Sequence, residues 1–411
     1  MENRYDKYKD SGIAWIGEIP EHWEIKKGKN LFKKEERPVR DNDEIITCFR
    51  DGEVTLRSNR RTDGFTNAMK EVGYQGVRKG DLVIHNMDAF AGAIGVSDSD
   101  GKSTPVYSVC TPKNNVEVDV YYYAYLLRSY ALGGVIQSLA KGIRERSTDF
   151  RYKEFGDLFY QKPPIQEQQS IATYLDQKCG EIDELITLQE EMITKLQSYK
   201  QSVITEAVTK GWDKNVPLKD SGIEWIGKIP EHWKIVCLKR LSRISTGNQD
   251  TQDSTPDGKY PFFVRSPKVE RSNRYTFEGP SILMAGDGVG AGKVFHLADN
   301  KFACHQRVYC ISQFSKINRI FLFYYLSSLF YNIIDSANSK STVDSVRLPM
   351  LAEFPVCIPS DLEQQSITDY LDRKCSEIDE LISIKQQKIE KLKDYKKSLI
   401  FECVTGKRKV S

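Results

Sequence analysis

The sequence predicts an α+β chain built twice: two α/β inserts joined by two long antiparallel helices that pair as a coiled-coil spacer, a pseudo-twofold internal duplication. Three observations predict it. Segment 9–25 returns at 219–235 with 14 of 17 positions identical. Segment 167–186 returns at 363–382 with 16 of 20 identical. Between them, the stretches of about 26–163 and 236–360 share almost no alignable identity. Two constant frames around two divergent inserts suit a molecule that presents two different surfaces at one fixed geometry.

The first frame element is rich in tryptophan, with Ser11-Gly-Ile-Ala-Trp-Ile-Gly-Glu-Ile-Pro-Glu-His-Trp23 repeated from Ser221 to Trp233. His22 and His232 belong to it, and packing beside the tryptophan is their expected role. The second frame element opens a long helix. Ile171, Leu175, Ile182, Leu185, Met192, Leu196, Tyr199 and Val203 fall on steps of four and three, with Lys178 and Gln189 interrupting. Ile367, Leu371, Ile378, Leu381, Leu392, Tyr395 and Leu399 repeat the pattern, widened by Cys375, Ile382 and Ile389. Glu, Lys and Gln between them favour helix and stay solvated. Proline precedes each helix, at Pro163-Pro164 and Pro359, and Gly211 and Gly406 close them. About 45 residues at 1.5 Å rise give a rod on the order of 65 Å. So long an apolar stripe needs a partner of equal length, and the other copy supplies it. Leu175, Ile182, Leu185 and Leu196 are expected to pack on Leu371, Ile378, Leu381 and Leu392.

The inserts read as mixed α/β. Segments 81–85, 106–110, 281–285 and 307–311 are short apolar runs between glycine-rich turns, the pattern of buried strands. The longest apolar stretches, Val118 to Leu139 and Ile317 to Ile334, occupy matching places in the two inserts. Asn318, Arg319 and Asn332 interrupt the second, and a membrane span needs about 20 predominantly apolar residues. A buried helix in each insert, and no membrane span, is the expectation.

Composition sets wide bounds. With 39% hydrophobic and 28% charged residues, the 411-residue chain has the make-up of two or three ordinary globular domains. A net charge of +3 supplies no global field, so a nucleic-acid partner must be met by local basic patches. Nine cysteines form no framework, and Met1-Glu-Asn-Arg-Tyr-Asp-Lys lacks the apolar core of a signal peptide. Reduced thiols in a cytoplasmic protein follow.

Motifs of catalysis fail on inspection. Gly286-Asp-Gly-Val-Gly-Ala-Gly-Lys293 resembles a phosphate loop, but Asp287 stands where its first glycine belongs and Val294 where a hydroxyl is needed. It reads as a tight turn. Cys304, His305 and Cys310 lack zinc-site spacing. No nucleophile elbow, metalloprotease helix or amino-methyltransferase tetrapeptide occurs. No catalytic, cofactor or metal residues are assigned.

Basic clusters in the inserts are more suggestive. The first carries Arg57, Asn59, Arg60 and Arg61, then Arg144, Arg146, Arg151 and Lys153. The second carries Arg265, Lys268, Arg271, Asn273 and Arg274, then Gln306 and Arg307, then Ser339 and Lys340. Arginine and lysine neutralise phosphates, while neutral donors serve backbone oxygens and base edges. These are the candidate DNA-binding residues.

With these residues in view, the chain resembles the specificity (S) subunit of type I restriction–modification enzymes over nearly its whole length. The resemblance rests on the Ser-Gly-Ile-x-Trp-Ile-Gly-x-Ile-Pro-Glu-His-Trp element at 11–23 and 221–233. It rests equally on the Glu-Gln-Gln-x-Ile-x-x-Tyr-Leu-Asp helix start at 167–176 and 363–372, and on the Glu-Ile-Asp-x-Leu-Ile run after each. It implies residues 1–163 as a first target recognition domain, 164–210 as a first spacer helix, 211–360 as a second recognition domain and 361–411 as a second spacer helix. Each recognition domain would read one half of an asymmetric, bipartite double-stranded DNA target. Two copies of a methyltransferase (modification) subunit would dock on the duplicated frame, and two ATP-dependent motor-nuclease (restriction) subunits would complete the enzyme. S-adenosylmethionine and ATP with magnesium would bind those partners, and this chain would be non-catalytic. One departure stands out. The second helix is richer in lysine, with Lys385, Lys388, Lys391, Lys393, Lys396 and Lys397, so equal contacts to both methyltransferase copies do not follow. Two other classes stay open at this point: a scaffold whose inserts bind protein, and an enzyme with an unrecognised site.

Overall fold

A computed structural model of the chain describes residues 4–60, 72–139, 149–213, 215–337 and 345–410. The candidates Arg61, Arg144, Arg146, Ser339 and Lys340 lie outside the described residues. Two compact units divide the chain, one of residues 1–189 with 387–411 and the other of residues 190–386. The division cuts through both long helices, Ile165–Lys210 and Asp361–Val404. Each helix half therefore belongs with the insert it packs on, where the sequence reading treats each helix as a body of its own.

In the first unit a four-stranded antiparallel sheet is built from β1 (Phe32–Lys34), β2 (Leu82–His85), β3 (Ile94–Val96) and β4 (Tyr107–Pro112), in the order β1-β4-β2-β3. In the second unit β5 (Arg243–Thr246), β6 (Ser281–Ala285), β7 (Phe295–Ala298) and β8 (Val308–Ser312) repeat that order as β5-β8-β6-β7. Residues 82–84 of β2 and 282–285 of β6 are apolar without interruption because both sheet faces are covered. Leu82 and Ile84 face one apolar cluster and Val83 another. Ile282 and Met284 are divided from Leu283 in the same way. The inserts part company in the second layer. There the second unit carries a further four-stranded sheet containing a parallel pair, and the first has two separate two-stranded ribbons.

The apolar stretches form α1 (Val120–Leu132) and α2 (Arg319–Leu329), each packed in its unit's main core. No helix among the described residues is long and apolar enough to cross a membrane. Asp119 caps α1 by accepting from the Tyr122 amide, and Asn318 caps α2 by accepting from Ile320 and Phe321.

Both long helices exist, and their segments pack antiparallel within each unit. In the first, Ile171 and Leu175 share a core with Leu399 and Cys403, and Lys396 reaches Asp183 at 2.6 Å. In the second, Val203 and Val208 share a core with Ile367 and Leu371, and Lys200 reaches Asp379 at 2.6 Å. Buried and half-buried positions keep steps of four and three through Leu175, Cys179, Ile182, Ile186, Gln189, Ile193, Leu196, Lys200 and Val203. The second helix does the same through Leu371, Cys375, Ile378, Ile382, Lys385, Ile389, Leu392, Lys396 and Leu399. That is a heptad seam. Two expected packing residues are not in it: Leu185 is 43% exposed and Leu381 47%. The seam passes through Gln189, Lys200 and Lys396 instead, which an apolar pattern cannot register. Lysine buries its aliphatic stem there and carries its charge out to an aspartate.

The repeated elements explain each other in space. Trp23 is buried, and its indole N–H donates to Glu167 Oε2 at 2.9 Å. His22 Nε2 lies 2.6 Å from the other carboxylate oxygen, and Tyr5 donates its hydroxyl at 3.0 Å. The second copy reproduces the clamp, with His232 Nε2 at 2.8 Å and the Trp233 indole at 3.3 Å from Glu363 Oε1. There the remaining donors are the backbone N–H and hydroxyl of Ser360, at 3.0 and 2.7 Å. The neighbouring glutamines tie each helix start to an insert. Gln168 accepts from the Asp119 amide and donates to Pro163, while Gln364 accepts from Asn318 and donates to Pro359. About two turns further on, Tyr125 donates to Asp176 and Tyr324 to Asp372, both at 2.7 Å. Each helix then ends at a glycine in the left-handed region, Gly211 and Gly406, both at φ 74°. A Cβ on Gly406 would lie 2.4 Å from Pro20 of the first frame element.

Partial burial alone would raise the Glu363 carboxyl, but its donors hold it below the ordinary value. Replacing Glu363 by alanine leaves the Trp233 indole and the Ser360 amide without their acceptor. The expected cost is about 1–3 kcal/mol of stability, seen as a lower thermal midpoint, with Glu363→Gln intermediate. An unchanged midpoint for Glu363→Ala would remove the clamp from the account.

Candidate nucleic-acid interface

At one end of each sheet the backbone turns the same corner. The Asn86 amide donates to Val106, and Phe150 donates to the Asn86 carbonyl, both at 3.0 Å. In the second unit Gly286 donates to Arg307 and Val346 donates to Gly286, both at 2.8 Å. Ser108 stands opposite Ile84 as Tyr309 stands opposite Met284, so the strands correspond residue by residue. Sequence alignment of the inserts does not reveal this match.

In the first unit the corner opens as a cleft of about 730 Å³, with Lys34, Asn86, Tyr107, Ser108, Arg151, Tyr152 and Lys153 among its walls. Arg151 precedes a short helix, Tyr152–Asp157, and its Nε lies 2.5 Å from Asp149. Lys34 lies 2.9 Å from Glu36. The buried Ser108 hydroxyl donates to Asn86 Oδ1 at 2.8 Å. In the second unit Asp287 is shared between Arg265 at 3.1 Å and Arg307 at 3.2 Å. Gln306 donates to Asp250 at 2.9 Å, and Tyr309 donates its hydroxyl to Val346 at 3.0 Å. The glycine-rich stretch is a turn, as its sequence suggests. A Cβ on Gly290 would sit 2.4 Å from the Arg265 carbonyl oxygen.

The sequence candidates divide accordingly. Arg151 and Lys153 meet at the first corner, and Arg265, Gln306 and Arg307 gather at the second. Arg57, Asn59 and Arg60 are absent from the cleft walls. Arg60 pairs with Asp51 and Glu53 and lies over the Phe49 ring, Asn59 donates to Thr55, and Arg57 donates to Thr47. Arg271 donates to the Gly258 carbonyl, while Lys268, Asn273 and Arg274 are exposed on the loop around it. Pattern reading missed Lys34, Asn86, Ser108 and Arg347. Arg347 precedes the helix Leu348–Ala352 as Arg151 precedes its own, and both stand sixteen residues before the repeated glutamate. Counting back from that glutamate would have found it. Asn86 and Ser108 carry no such signal, because only the folded sheet brings them together.

The family comparisons agree with this architecture. Residues 230–394 match the family described as type I restriction modification DNA specificity domain. The chain is 24% identical, over 95% of its length and 94% of the relative's, to the type I restriction enzyme MjaVIII specificity subunit of Methanocaldococcus jannaschii. It is 29% identical to the type I restriction enzyme EcoDI specificity subunit of Escherichia coli, over 44% of this chain and 39% of that one. The chain is thus similar to type I specificity subunits along nearly its whole length, and its second half carries the match to their DNA specificity domain. Its fold is shared with a chain from a structural study of complex assembly and conformational transition in the type I R-M system. That match has a TM-score of 0.73 at 14% identity, covering 94% of this chain and 98% of the other. The HsdS subunit from Thermoanaerobacter tengcongensis matches with a TM-score of 0.52 at 15% identity, over 94% and 98% of the two chains.

Two histidines buttress the corners of this chain. His85 Nδ1 accepts from the Asp88 amide at 3.1 Å, and His305 Nδ1 accepts from the Arg307 amide at 3.0 Å. Burial above all holds both imidazoles below their ordinary value of 6.5, helped by Arg50 and Arg265 and opposed by Asp88 and Asp250. A neutral ring can accept at Nδ1 and a protonated ring cannot. Their contribution is therefore complete above about pH 6.5 and is lost as pH falls through the lower folded values. Thermal stability should drop between about pH 7.5 and about pH 5.5, and a His85→Gln, His305→Gln double variant should flatten that dependence. A wild-type midpoint that stays level across the range would contradict it.

Proposed function

We propose that this chain reads an asymmetric, bipartite double-stranded DNA target and directs methyltransferase and motor-nuclease partners to it. Residues 1–163 and 211–360 act as the two target recognition domains, and 164–210 and 361–411 as the spacer helices that set the unread gap. One observation carries the reading. The two units build the same corner from the same backbone bonds, yet line it with different chemistry, Asn86, Ser108 and Arg151 in one and Asp287, Gln306, Arg307 and Arg347 in the other. Equal frames with unequal readers suit two unlike half-sites. Arginine and lysine would hold phosphates, and amides, hydroxyls and a carboxylate-braced arginine would meet base edges. Asp287 would fix the Arg307 fork in advance, lowering the entropy lost on contact. Between half-sites only deformability would be sensed.

The partner surface follows from the residues left outside the seam. The first unit exposes Leu185, Leu188 and Tyr395, and the second exposes Leu381, Ile384 and Tyr199 at equivalent repeat positions. Exposed apolar residues grouped on paired helices suit a helical partner. Two equivalent patches suit two copies of one modification subunit, with Met192 beside the second patch and Lys388 at the corresponding place in the first. Two restriction subunits complete the assembly in this reading, with S-adenosylmethionine and ATP with magnesium held by partners and no cofactor on this chain. Its place is the cytoplasm, which suits nine unpaired cysteines.

In a gel shift, target DNA should bind with an affinity that falls steeply with salt, about 0.9 log unit per log unit of salt for each phosphate neutralised. Replacing residues 26–163 by another insert should change one half of the methylated motif. Salt-independent binding, or a change in both halves, would count against modular DNA reading. A Leu185→Glu, Leu188→Glu variant should lose one methyltransferase copy, read by native mass spectrometry. A complex that keeps both copies would move the docking site elsewhere.

A further inference from the structure

We infer that Asn86 reads an adenine in the half-site bound by the first unit. This rests on the DNA-reading function proposed above and assigns it a residue and a base. Asn86 follows β2 at the corner, with its backbone N–H and carbonyl both taken by neighbouring segments. Only 7% of the residue is exposed, and it is among the residues that line the cleft. The Ser108 hydroxyl donates to Oδ1 at 2.8 Å and holds the amide in place. Oδ1 keeps a second lone pair, and Nδ2 has no hydrogen-bond partner among the described residues. A polar group left unmatched at this depth costs stability, and Asn86 lines the cleft with only one end of its amide matched.

A donor and an acceptor side by side complement the major-groove edge of adenine, which offers N7 as acceptor and N6–H as donor. Guanine offers two acceptors on that edge and sets O6 against Oδ1. Lys34, Arg151 and Lys153 line the same cleft, and Arg151 and Lys34 are steadied by Asp149 and Glu36. Cations and an amide sharing one cleft suit phosphate contacts beside a base contact. Gly286 stands at the same position in the second unit, so the adenine contact belongs to one half-site only.

The test selects binders from randomised duplexes with the full chain assembled with its methyltransferase partner. Asn86→Ala should lower the preference for adenine at one position of one half-site by on the order of ten- to a hundredfold. The other half-site, unchanged, reports that the variant is folded. Asn86→Asp, which has acceptors only, should favour cytosine at that position. Ser108→Ala should relax the same position more weakly. An unaltered selection profile for Asn86→Ala, or a uniform loss across both half-sites, overturns the inference while DNA reading stands. A wild-type assembly that selects no bipartite sequence removes DNA reading itself, and this inference with it.

Discussion

A half-buried carboxylate at the start of each long helix organises the rest of the molecule. Glu167 and Glu363 each gather the indole N–H of a buried tryptophan and an imidazole nitrogen from an element more than a hundred residues earlier in the chain. A carboxylate accepts several hydrogen bonds at once, and bonds to a charged acceptor are stronger than neutral ones. The adjacent glutamine then fixes the cap of the insert helix. Helix start, tryptophan element and insert are thereby held in one relation in both halves. The frame must stay nearly identical because its parts bond to each other, and the inserts stay free because they bond to it at only a few points.

The helix seam shows a second balance. Polar residues on the seam, Gln189, Lys200 and Lys396, weaken it relative to leucine, yet the lysines pair across it with Asp379 and Asp183. Each unit holds one such pair between its own two helix segments. A polar seam position limits the ways two helices can slide, which suits a spacer whose length matters. The apolar residues displaced from the seam are then available to a partner.

At the sheet corners a constant backbone carries variable chemistry. The same donor–acceptor pattern supports an amide braced by serine in one unit and an arginine pair braced by aspartate in the other. The lining side chains can change there without disturbing the sheet, since the strands are held by backbone bonds and by apolar side chains on both faces.

The sequence by itself determined what depends on local pattern. The duplication, the two long helices, the apolar strands and the family resemblance were legible because identity, heptad spacing and strand-length apolar runs are one-dimensional signals. Arg151, Lys153, Arg265, Gln306 and Arg307 were legible as candidates because basic residues cluster along the chain. Tertiary structure alone decided that Leu185 and Leu381 face outward, because lysine stems fill the seam and apolar counting does not see them. It alone decided that Arg60 is occupied by Asp51 and Glu53. It alone revealed that two inserts without alignable identity share a strand order and a corner, and that Asn86 meets Ser108. Backbone hydrogen bonds and burial dictate such a topology while leaving side-chain identity nearly free, so segments far apart in sequence become neighbours with no trace in local pattern.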